Sequence, residues 1–121
     1  MKSAILIILF TLLSISTYAQ SPYTSDTEAI QYLDGKTFAD GSGMKISYGY
    51  ISEANTYGIT ITNKQGNKFI YINCDIKSRG SYCDISGMSP ANGENFRFRA
   101  FKDRLVVGYG EAQSRTFYLV R

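Results

Sequence analysis

Cys74 and Cys83 are the only cysteines in this 121-residue chain, and their placement predicts a covalent link. Residues 68–77 are rich in β-branched and aromatic types, which fit a pleated, half-buried surface. Ile70, Ile72, Cys74 and Ile76 recur every second residue and share one face; Phe69, Tyr71, Asn73 and Asp75 share the other. A turn over residues 77–80, with Gly80 free to take a positive φ, sets Ile76 opposite Ser81. That register places Cys74 opposite Cys83 and Ile72 opposite Ile85, all on the inner face, with the sulfurs within disulfide reach. Closing so short a loop contributes about 2–3 kcal/mol through the unfolded state. The alternative is a pair of reduced thiols buried as small apolar residues.

Other chemistry is sparse. The chain has no histidine, so the usual general base and the usual zinc ligand are both missing. Gly108-Tyr109-Gly110 ends a strand and is not followed by a helix, so it is not a phosphate loop. Asp75 and Asp84 read as solvated charges on the outside of the hairpin. No catalytic residue, metal site or cofactor is predicted. Two surfaces are candidates for recognition. Arg97 and Arg99 share a strand face about 7 Å apart; with Lys102, Arg104 and Arg115 they predict a basic stripe for an acidic protein or anionic glycan. The plainer reading is that alternating arginines keep an exposed strand soluble. The longest connection, residues 87–95, predicts a recognition loop with Met88 and Pro90 at an apolar tip and Asn92 beside them.

The elements that position these residues follow from patterning. Residues 1–19 read as a secretory leader: Lys2, an apolar run from Ala4 to Leu13, and a small-x-small end at Thr17-Tyr18-Ala19. The run is short for the ~20 residues of a membrane span, so stable insertion is not expected. A secreted or periplasmic location follows, with residues 20–121 as one domain. Without Lys2 that domain carries 12 basic and 10 acidic residues, too even to argue for nucleic acid. Ser25-Asp26-Thr27-Glu28 is a capping box, and Ala29, Ile30 and Leu33 form a helical stripe closed by Gly35, predicting one short helix over 27–34. Alternating segments then predict strands over 36–39, 44–51, 57–63, 68–77, 81–86, 95–101, 105–109 and 114–120. Eight strands joined by short turns favour an antiparallel meander closing into an up-and-down barrel; an open curled sheet or sandwich is the alternative. Tyr48, Tyr50, Phe96, Phe98 and Tyr109 are its predicted interior aromatics.

Leu33-Asp34-Gly35-Lys36-Thr37-Phe38 resembles the opening of lipocalin-like (calycin-type) barrels, which begin with a Gly-x-Trp step after a helical turn. Gly35 matches; Phe38 falls one position late, and the chain has no tryptophan. The resemblance implies an eight-stranded cup for a small apolar ligand. The residues themselves favour a monomeric, non-catalytic module that binds a protein, such as an inhibitor, immunity or envelope factor, with the apolar-ligand carrier as the alternative.

Overall fold

A computed structural model describes residues 21–121, and the leader read in residues 1–19 lies outside them. Among the described residues one helix, α1 (Asp26–Leu33), is followed by β1 (Thr37–Ala39), β2 (Lys45–Ile51), β3 (Thr56–Thr62), β4 (Lys68–Ser78), β5 (Cys83–Met88), β6 (Asn95–Ala100), β7 (Arg104–Val107) and β8 (Arg115–Leu119). Each strand pairs antiparallel with the next, and β8 returns to β1 through Phe38–Leu119 and Ala39–Tyr118, closing the barrel. The predicted meander and its closure are both present. The interior is solid with side chains: Phe38, Ile46, Tyr48, Ile59, Ile85, Phe98, Leu105 and Phe117 are all buried. Eight strands enclose a space that ordinary side chains fill, so this interior is a core.

Helix α1 seals one end. Ser25 caps it, accepting from the Glu28 N–H at 3.1 Å. Glu28 does not reach back to Ser25 among the described hydrogen bonds; its carboxylate instead accepts from the Thr24 hydroxyl. Ala29 and Leu33 are buried against the barrel. The helix is tied to the turns at that end. Asp26 accepts from the Ser78 N–H at 2.8 Å, Tyr23 donates its hydroxyl to the Phe101 carbonyl at 2.8 Å, and Tyr32 donates to the Lys102 carbonyl at 2.6 Å.

The predicted disulfide is not formed: Cys74 and Cys83 are free thiols. The cause is register. Ser78 opposes Cys83 and Ile76 opposes Ile85, so the turn occupies residues 79–82 and closes with the Arg79 N–H on the Tyr82 carbonyl. Moving a four-residue turn two positions along the chain moves every partner by four. Cys74 therefore lies four residues, about 13 Å, along β4 from the position facing Cys83, beyond disulfide reach. What selects this turn is Tyr23, which bridges to Gly80 and accepts its N–H at 3.2 Å. Both thiols still reach the core, Cys83 fully buried and Cys74 packed against it, as in the reduced-thiol alternative.

A bulge changes the inward face of β4. Ile72 opposes Met88 and Asp75 opposes Ser86, so Asn73 and Cys74 together face the single residue Gly87. Asn73 absorbs the extra residue with φ of 53°, a conformation asparagine tolerates better than most side chains. Tyr71, opposite Ile59, therefore packs against the core before the bulge, with Phe69 on the same face but exposed near the strand's start, and Cys74 and Ile76 pack inward after it. Ile70 and Ile72, expected inside, point outward.

Candidate functional site

The residues that converge with charge and aromatic surface lie on the outer face of β4–β7. Register builds the site in two rows. Asp75, Ser86 and Arg97 oppose one another across β4, β5 and β6; Lys77, Asp84, Arg99 and Val106 do so across β4 to β7. Their neighbours Ile76, Ile85 and Phe98 belong to the core, so alternation turns both rows outward. The turn after β7 brings Tyr109 and Glu111 over the same surface, enclosing a cleft of about 280 Å3.

Arg99 is fixed within this cleft. Its Nε donates to Asp84 Oδ1 at 2.9 Å and its Nη2 to Oδ2 at 3.3 Å. Its guanidinium lies 4.1 Å from the Tyr82 ring centre and 4.2 Å from that of Tyr109. Hydrogen bonding to Asp84 raises its pKa further, so the charge is permanent. Arg97 stands beside it, exposed, with no ion-pair partner among the described residues. The arginines thus divide into one held rigid and one free to engage a ligand. Arg99→Lys is expected to cost about 1 kcal/mol, because an ammonium cannot keep the paired contacts to one carboxylate and lie flat against two rings. Arg97→Lys is expected to stay within about 0.5 kcal/mol. Thermal melts of the two variants against the parent chain check both values.

The continuous basic stripe is not present. Arg104 pairs with Asp103 at 3.3 Å and lies over Phe101. Arg115 pairs with Asp40 at the end of the barrel away from α1, beside Met44. Lys102 sits exposed in the β6–β7 turn. Within the cleft, Lys77, Arg97 and Arg99 face Asp75, Asp84 and Glu111, so the formal charges balance. Only Arg97 and Arg99 of the predicted stripe are brought together there.

The second predicted surface is a tight turn outside the cleft. Ser89 donates its N–H to the Glu94 carbonyl at 2.8 Å and accepts from Gly93 at 2.9 Å through its own carbonyl. Asn92 accepts from the Glu94 N–H at 3.0 Å, which employs its side chain within the turn. Pro90 is exposed at the tip, and Met88 lies exposed on the outer face opposite Ile72. Sequence reasoning missed Tyr82, Asp84 and Tyr109 as parts of the site. Tyr109 was expected in the interior, but β7 ends at Val107 and Gly108 turns the chain with φ of 73°. Tyr50 keeps the inner face with Tyr48 but stands exposed at the barrel mouth against Tyr57, and Phe96 is half-buried.

Among the described residues no group of acidic or thiol side chains is arranged to hold a metal ion, and no helix is long and apolar enough to cross a membrane. Comparison with known proteins gives no match, whether to family descriptions, to curated proteins or to solved structures.

Proposed function

We propose that this chain is an exported, non-catalytic binding module that recognises a partner protein through the outer cleft of β4–β7. The observation that carries this reading is the placement of an exposed Arg97, without an ion-pair partner among the described residues, beside an Arg99 already immobilised by Asp84, Tyr82 and Tyr109. Arginine and tyrosine dominate the energetically important positions of protein interfaces, and groups ordered before binding lose little entropy on contact. A carboxylate of the partner meets Arg97, and the balanced charges around it set register by admitting a lysine opposite Asp75 or Glu111. The carrier reading draws on the eight-stranded closure alone; the filled interior lends it no support. Acting as a monomer, the barrel presents this cleft on its convex side.

Capture from envelope extracts of the source cells, with the chain immobilised, is expected to retain a partner that Arg97→Glu fails to retain. With that partner purified, Arg97→Glu is expected to weaken binding by roughly tenfold or more and to flatten its dependence on salt. Equal affinity of the two chains for the partner would exclude this cleft as the interface.

A further inference from the structure

Tyr82, Phe101, Arg104 and Tyr118 stand side by side across the outer face of β5 to β8. Cys83 opposes Ala100, and the same register continued by one residue sets Tyr82 opposite Phe101, with their ring centres 5.8 Å apart. Phe101 closes the next hairpin by donating its N–H to the Arg104 carbonyl at 2.8 Å, and Arg104 opposes Tyr118. Their chain neighbours Cys83, Ala100, Leu105 and Phe117 are all buried, so alternation turns the row outward. Three strand spacings make the row about 14 Å long.

The row is stiff. The Arg104 guanidinium lies 4.3 Å from the centre of the Phe101 ring. Phe101 in turn lies 6.2 Å from Tyr109, whose ring and that of Tyr82 enclose Arg99. The row is also open at its far end and along the cleft: Tyr118 is 61% exposed and Tyr109 56%. Aromatic faces held in this way offer contact area at low entropic cost. Tyr109 lines the cleft of β4–β7 as well, so the row and the cleft form one continuous surface.

We infer that this row binds a proline-rich, extended segment of the partner protein, an inference that rests on the cleft of β4–β7 being the partner-binding surface. Hydrogen-bonding capacity selects the segment. Among the described residues the Tyr82 and Tyr118 hydroxyls make no hydrogen bond, and Arg104 gives a single one, to Asp103. The carboxylates beside the row, Asp84 and Asp103, are already paired with Arg99 and Arg104. The row therefore offers donors and no free carboxylate. A polyproline II segment is the converse: its carbonyls are free to accept, its prolines carry no N–H, and its flat rings pack on tyrosine faces. An ordinary extended segment would bring N–H groups with no carboxylate to meet. At 3.1 Å per residue, about five residues of polyproline II span the row. Such a segment is rigid before it binds, as the row is, so little entropy is lost on contact.

The test is amide chemical-shift mapping of the isotopically labelled chain against acetylated, amidated decaproline, with a glycine–serine peptide of equal length as control. The expected result is saturable shifts grouped at residues 82, 101, 104, 109 and 118 with decaproline and none with the control. Tyr118→Ala should weaken decaproline binding by roughly fivefold or more. Arg97→Glu should leave the shifts unchanged, because Arg97 lies four residues, about 13 Å, along β6 from Phe101. No saturable shift with decaproline, equal shifts with the control, or unchanged affinity in Tyr118→Ala with its amide spectrum otherwise native would each overturn the inference. The cleft is judged separately. Decaproline binding alongside an Arg97→Glu chain that still retains the partner would keep the row and remove the cleft. Absent decaproline binding alongside an Arg97→Glu chain that loses the partner would keep the cleft and remove the row.

Discussion

Raising the pH from 8 to 10.5 is expected to remove roughly 3–4 kcal/mol of stability, a large part of the ~5–15 kcal/mol typical of a domain this size. The cause is the set of neutral acids the core encloses. Burial pushes the Cys83 thiol up to about 12, with the charges of Asp84 and Asp26 acting in the same direction. Burial also pushes Tyr48 up to about 12, raises Tyr23 above the ordinary tyrosine range and raises Cys74. Below about pH 8.5 both folded and unfolded chains keep the thiol proton, so this stability is fully present. Above it the unfolded chain releases the proton while folded Cys83 holds it until about pH 12. The unfolded state then binds fewer protons, and stability falls by about 1.4 kcal/mol per pH unit for each such group.

Cys83 alone supplies about 2.7 kcal/mol of the loss by pH 10.5, and the tyrosines begin to add to it near pH 10. Guanidinium unfolding at a series of pH values under reducing conditions measures the slope. In Cys83→Ala the slope between pH 9 and 10 is expected to fall by about one proton, ~1.4 kcal/mol per unit, whatever the variant loses at neutral pH through its cavity. An unchanged slope would show that Cys83 is not shielded from solvent as the barrel places it. Repeated without reductant, the series separates the two redox states, because a disulfide-bonded chain has no thiol proton to lose and would lack the Cys83 contribution.

The barrel was legible because alternation is local: Phe38, Ile46, Ile59, Ile85, Phe98, Leu105 and Phe117 each sit on the face their period assigns. Closure followed from the even number of short hairpins. The register of the central hairpin was not legible, because residues 68–86 accept a turn at 77–80 or at 79–82 equally well. The choice is made by Tyr23 on Gly80 and Asp26 on Ser78, contacts spanning more than fifty residues. The bulge did leave a signal in Asn73, a turn-prone residue within an otherwise β-branched run. Without it, Ile70 and Ile72 outcompete Phe69 and Tyr71 as apparent core residues. The candidate cleft was half legible for the same reason. Arg97 and Arg99 announce themselves, but Asp84 faces Arg99 only in the observed register, and Tyr109 reaches both from a turn read as strand.

Gly58→Ala is expected to destabilise the barrel by about 2–4 kcal/mol, lowering the melting temperature by about 10–25 °C, although the residue lies in an ordinary strand. Gly58 points outward from β3, where β4 crosses closely. A Cβ on it would stand 2.5 Å from the Tyr71 carbonyl oxygen and 2.9 Å from Ile51 Cδ1. A side-chain methyl can rotate away; the carbonyl belongs to the ladder that holds Ile59 opposite Tyr71. Moving it disturbs the strand just before the Asn73–Cys74 bulge, which sets the inward face for the rest of β4. Gly49 is the internal control, because it faces Gly58 directly across β2 and β3. A Cβ there meets Asp34 Oδ1 at 3.3 Å and the Gly35 nitrogen at 3.5 Å, so Gly49→Ala is expected to cost under about 1 kcal/mol. Two glycines paired in one ladder thus predict unequal costs, and the inequality isolates the close approach of β4 from any general effect of glycine in a strand. Equal melting temperatures for the two variants would mean that β4 does not approach β3 as the structure places it, and the bulge would lose its anchor with it.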